Sequence, residues 1–183
     1  MSEVHITGLA DLQKFLDTLP VKVEKNILRG ALRAGANVIK SDAKANCPVG
    51  KPSAENVRLY GGYEGALRDS IRVGTLGKGG KVTAYIRAGG KNAKTKADVF
   101  YAHMVEWGTS AHLIRGGKGG ALSFLNLFVK SVNHPGMRAK AFMRPALDKQ
   151  ASAAVVAAAE YMKARLATKH GLDTADIEIG VEE

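Results

Sequence analysis

Cysteine is all but missing from this sequence: Cys47 stands alone among 183 residues. No disulfide can close within the chain, so stability rests on packing, as expected in a reducing compartment. Long apolar runs are missing too. The longest, the alanine-dominated stretch 151–159, falls far short of the ~20 residues that cross a bilayer. That excludes a transmembrane helix and removes a membrane from the expected partners. The opening Met-Ser-Glu-Val-His lacks the charged start, apolar middle and cleavage site of a secretory signal, so the chain is expected to be made and kept in a cytoplasm. Acidic charge is in short supply, with 17 acids against 27 bases and a net charge of +10. Five of those acids, Asp173, Asp176, Glu178, Glu182 and Glu183, fall in the last twelve residues, which hold no Lys or Arg. Taking the five from 17 leaves 12 acids against all 27 bases, so residues 1–171 carry +15. Such a body attracts polyanions, DNA phosphates included, or an acidic partner surface, without reading any sequence. Aromatics amount to 6% and do not interleave with the basic residues as a single-strand stacking platform requires.

What is present is enough for a core: 45% of residues are hydrophobic, and this length fits one compact domain. The expected division is a single domain over residues 1–171 and an acidic C-terminal tail over 172–183. Leu9, Leu12, Phe15, Leu16 and Leu19 recur at helical spacing and predict a short amphipathic helix ending before Pro20. Residues 21–46 carry one stripe of Val23, Ile27, Ala31, Ala34 and Val38 and a second of Leu28, Leu32, Gly35 and Ile39. They predict a long helix buried on two sides, in which Gly30, Gly35 and the alanines let another backbone approach. Cys47-Pro48-Val49-Gly50 stops it. Residues 50–65 read as a loop. Leu67, Ile71 and Val73 lead through a Gly-Lys turn to the alternating Val82, Ala84, Ile86 and Ala88, which predicts an antiparallel hairpin. Residues 99–107 are apolar without a decisive period, and 111–133 predict a second hairpin around a basic glycine loop. Pro145 suits a first helical turn, and the alanine-rich 146–169, closed by Lys169, His170 and Gly171, is the clearest helix.

The catalytic and metal-binding patterns fail in turn. His103 and Glu106 stand three apart, with His112 or His134 as further ligands, but Trp107-Gly108 falls where the next ligand of a zinc motif belongs. Cys47 lies at a helix C-terminus, where the dipole raises a thiol's pKa, and fits a small buried residue better than a nucleophile. No Gly-x-Ser-x-Gly elbow occurs, and Asp69-Ser70 falls at an expected strand start. In the loop 74–81, Gly80 and Lys81 occupy the places where a phosphate-binding loop needs Lys and Ser or Thr. No catalytic, metal or cofactor-binding residue is therefore assigned.

Several blocks, read in order, resemble a known family. They are Arg29-Gly-Ala-Leu-Arg-Ala-Gly-Ala36, Cys47-Pro-Val-Gly50, Gly65-Ala-Leu-Arg-Asp-Ser-Ile71, Tyr101-Ala-His-Met-Val-Glu-Trp-Gly-Thr109, His134-Pro-Gly136 and Phe142-Met-Arg-Pro-Ala-Leu-Asp148. Their sequence is similar to that of the neck or tail-component proteins of long-tailed bacteriophages, also described as tail-completion proteins. Ala141 replaces a usual proline, Trp107 a phenylalanine, and the loop at 51–64 is long. The resemblance implies an α+β fold: a small antiparallel sheet packed against a long helix in the N-terminal half and a C-terminal helix. It further implies a non-enzymatic virion protein that assembles with copies of itself into a ring at the head-to-tail interface. The implied neighbours are head-completion, tail-terminator or tail-tube proteins, with genomic DNA passing through the lumen. A general basic nucleic-acid-binding protein is the alternative. The residues expected to serve fold support or the interface are Glu106, Trp107, Gly108, Thr109, His134, Pro135, Gly136, Phe142, Arg144 and Pro145. Glu106 and Arg144 are expected to pair, and Trp107 to be either an interface anchor or a core residue.

Overall fold

The computed structural model describes residues 5–182 apart from 7, 18–20, 92–95, 118–119, 125–126, 172–173, 175–176 and 180. Two helices organise it. α1 (Leu9–Asp17) is followed by α2 (Val21–Asn46), and α6 (Met143–His170) runs antiparallel along α2. The direction follows from the pairings: Asp42 near the end of α2 meets Lys149 at 3.1 Å, while Gly30 lies against Tyr161. Between them Gly35 sits on the backbone carbonyl of Ala154, the close approach that the small residues of α2 predict. The expected stop after Asn46 is observed, with Cys47 buried beyond the helix end.

Both helices thread two apolar clusters. One gathers Ala43, Cys47, Leu67, Ile71, Val99, Phe142 and Ala146; the other gathers Leu12, Leu16, Ile27, Ala159, Leu166 and Ile177. Fully burying a large aliphatic or aromatic side chain contributes roughly 1.5–3 kcal/mol, so Phe142, Leu12 and Leu166, each under 2% exposed, anchor the body. Ile177 belongs to the segment read as an acidic C-terminal tail. Thr174 is buried as well, and β10 (Val181–Glu182) pairs antiparallel with β1 (His5–Ile6). The described part of the tail is thus packed on the body, because its isoleucines have an apolar surface to cover.

The strands form five two-stranded ladders among the described residues. β2 (Arg72–Lys78) and β3 (Lys81–Arg87) are the first expected hairpin, lying along α2. β4 (Gly90–Lys91) pairs with β5 (Asp98–Val99). The residues read as a loop contain α3 (Ala54–Tyr60), capped by Ser53 and ended by Gly61 in the left-handed region, and bury no side chain there. Asp69-Ser70, expected at a strand start, closes the short α4 (Ala66–Ser70); the buried Ser70 hydroxyl donates to Leu67 O and accepts from Gly89 N. The undecided segment ends as a helix, α5 (Ala102–Trp107).

The second expected hairpin is an arm. β6 (His112–Arg115) pairs with β9 (Ser131–His134), and farther out β7 (Leu122–Phe124) pairs with β8 (Leu127–Val129). Gly116 N donates to Lys130 O and carries the ladder outward. These strands make their main contacts with one another and not with the body.

Candidate functional site

The blocks at 106–109, 134–136 and 142–145 meet at the base of the arm. An α-helix leaves its first four N–H groups unpaired, and Phe142, at the start of α6, supplies no side-chain cap. Glu106 caps it from α5 instead. Its Oε2 accepts from Phe142 N (2.8 Å) and Met143 N (3.0 Å), and its Oε1 accepts from Arg144 N (3.0 Å). The next residue, Pro145, has no N–H to offer, so one carboxylate and one proline satisfy the whole first turn. Burial alone would raise the Glu106 pKa, but the bonds from Met143, Phe142 and Arg144 and the Arg144 charge outweigh it and hold the carboxyl below its ordinary value.

The expected ion pair of Glu106 with Arg144 is not formed between the side chains: the carboxylate accepts from the Arg144 backbone N–H instead. The Arg144 guanidinium turns the other way and lies 4.0 Å over the Trp107 ring. Trp107 is 67% exposed, so it is not a core tryptophan. Gly108, at φ +73°, follows; a Cβ there would press on Met137 O at 2.6 Å and Ala139 N at 2.8 Å, which only glycine avoids. Thr109 N donates to Met137 O (2.9 Å), and Met137 N donates back to Thr109 O (3.0 Å) and Oγ1 (2.9 Å). His134 Nδ1 accepts from Gly136 N at 3.1 Å, with Pro135 exposed between them. The two chain segments entering and leaving the arm are therefore laced together beneath it.

The histidines do not assemble around Glu106. His103 Nδ1 faces Phe100 O at 3.0 Å, and His112 and His134 stack on each other in the arm with centroids 5.0 Å apart. Cys47 is buried, and that burial pushes its thiol up to about 11.

Beside the arm base runs an apolar groove of about 850 Å³. Its floor is α2 (Leu32, Gly35, Ala36, Ile39), one wall is β3 (Ala84, Ile86, Ala88), and the other is α6 (Leu147, Val155, Ala158, Met162). Trp107, Arg144 and Leu9 are also part of the lining. Leu147 and Val155 are exposed, as are Leu113, Ile114, Phe128 and Val132 on the arm. The groove escaped the sequence reading; the available signal was that α6 carries large aliphatics on more than one side, more than a single core contact uses.

Fold and site together define an α+β protein whose apolar groove and outstretched arm are both uncovered. The family model described as "Bacteriophage HK97-gp10, putative tail-component" matches residues 10–108, more than half of the chain. The chain belongs to that family, which places it among bacteriophage tail components with a structural role in the virion. No curated protein and no solved structure matches it.

Proposed function

We propose that this protein is a non-enzymatic ring-forming subunit at the head-to-tail interface, joining or completing the tail as a neck or tail-completion part. The observation that carries the reading is the uncovered apolar surface around Trp107. An aromatic 67% exposed, stacked under Arg144 and lining an apolar groove, is the kind of anchor that dominates protein interfaces. Contiguous apolar surface of this sort is rare on a protein that works alone. A ring needs two different faces that fit each other, and the groove and the arm supply two. The neighbours along the axis are head-completion, tail-terminator or tail-tube proteins.

The test is the mass and negative-stain image of the purified protein, alone and then with tail tubes or DNA-filled heads. Rings, or particles capped at one end, are the expected result. The charge of the arm region supports a second reading, sequence-independent DNA binding: residues 107–147 carry six bases and no acid. A persistent monomer that ignores both particles yet shifts DNA at low salt would favour that reading.

A further inference from the structure

Two like-charged pairs face each other across the β2–β3 hairpin: Arg72 stands opposite Arg87 at its root, and Lys78 opposite Lys81 at its tip. Alternation puts all four on one face, with Gly74 opposite Tyr85 and Leu76 opposite Thr83 between them. Ala84 and Ile86, on the other face, line the groove along α2. Like charges directly opposite weaken a ladder, and none of the four forms an ion pair with a carboxylate among the described residues. The surroundings carry the same sign. Residues 70–97 hold seven bases and no acid; of the seven, Lys91 stands opposite Asp98 in the β4–β5 ladder and is left aside. Residues 25–41 of α2, behind the hairpin, hold four bases and no acid, and the Arg29 guanidinium lies against Gly77.

The face is also held in shape. Arg72 Nη1 donates to Ser70 O (3.2 Å) and Gly89 O (2.8 Å), which pins one charge at the root. Tyr85 lies across Gly74, where a Cβ would run into its ring, and Arg87 stacks on that ring at 4.3 Å. At the tip Gly79 and Gly80 turn in the left-handed region with nothing within 4 Å of their missing Cβ atoms, so the lysine pair stands clear. We propose that this face is a contact for the phosphate backbone of duplex DNA, made without reading sequence. From Arg72 to Lys78 is about 20 Å of strand, the length of about six base pairs along the duplex axis. The covered Tyr85 ring offers no platform for an unstacked base, so a single strand gains less here than a duplex. Lysine is depleted in protein interfaces, which sets a protein partner behind a polyanion. The contact goes beyond the ring reading and stands without it; in a ring, this is the face turned to the passing DNA.

The test is the anisotropy of a short fluorescent duplex of random sequence, titrated with the whole chain from about 50 to about 200 mM salt. The logarithm of the affinity is expected to fall with the logarithm of salt at a slope of roughly −3 to −4, as four phosphate contacts require. Lys78→Gln/Lys81→Gln is expected to melt no lower than the parent, since it removes a like-charged pair. It is expected to flatten the slope by about 2 and to weaken binding more than about tenfold at the low-salt end. Lys78→Arg/Lys81→Arg, which keeps the charge, is expected to bind as the parent does, and Arg115→Gln/Lys130→Gln on the arm to leave the slope where it is. A parent that ignores the duplex at low salt overturns the assignment, as does a glutamine variant of the hairpin that binds like the parent or an arm variant that accounts for the loss. Polyglutamate that displaces the duplex as well as unlabelled DNA does would turn the face toward an acidic protein and overturn it too. None of these outcomes bears on ring formation, which mass and imaging read separately.

Discussion

Three donors of α6 depend on one carboxylate, which makes Glu106 the most consequential single side chain. Glu106→Gln keeps one acceptor oxygen but turns an amide toward N–H groups, and the loss of such a cap costs about 1–2 kcal/mol; thermal melts at neutral pH check it. The sign with pH follows from the lowered carboxyl. Its stabilisation is complete above the ordinary glutamate value of about 4.3 and is lost as pH falls through its own lower one. The gap in melting temperature between parent and variant is therefore expected to shrink as the pH is lowered below that ordinary value, and a constant gap would contradict the assignment. Cys47 offers a second measurement. With its thiol pushed up to about 11, native labelling by iodoacetamide near pH 8 is expected to run more than about a hundredfold slower than in the unfolded chain. Both blocks around Glu106 were visible in the sequence, yet their connection was not. A Glu and an Arg 38 positions apart suggest opposite charges meeting; sequence carries no sign that the acid turns to backbone donors and the base to a tryptophan ring.

At the level of elements, the contact between α2 and α6 is the tightest and the easiest to break. A Cβ at Gly35 would run into the carbonyl of Ala154, so Gly35→Val forces the helices apart and is expected to cost about 1–3 kcal/mol. In a protein this size that lowers the melting temperature by roughly 2–4 °C per kcal/mol. Gly50, with nothing within 4 Å of its missing Cβ, is the control: Gly50→Ala is expected to melt as the parent does. The long elements were legible because their periodicity extends over many turns; α2 lies at 21–46 as the two stripes require. The short ones were not. α3 has seven residues and buries none of them, so no apolar stripe marks it. β1 and β10 have two residues each, and their pairing joins opposite ends of the chain, which no local pattern encodes.

Across the whole molecule, the only tryptophan offers a test of the proposed assembly. Trp107 is exposed in the isolated subunit, so its emission is expected to lie near that of the unfolded chain and to shift to shorter wavelength as subunits associate. An emission that stays put while the mass rises would show that Trp107 lies outside the contact. The groove itself could not be read from sequence, since it exists only where α2, β3 and α6 come together, and each contributes residues that look like ordinary core. The lacing at the base of the arm has one more consequence. Thr109 and Met137 are tied to each other, Gly108 and Gly136 make the turns, and the first turn of α6 is completed by Glu106 from the near side. The described strands between 110 and 136 make their main contacts with one another, and the family match ends at 108, just before the arm begins. Closing a longer or shorter excursion costs little, about 0.6 kcal/mol per doubling of length. The arm is therefore expected to behave as an exchangeable attachment on a fixed chassis: changes to its length and side chains should leave the folding of the scaffold that carries it unchanged.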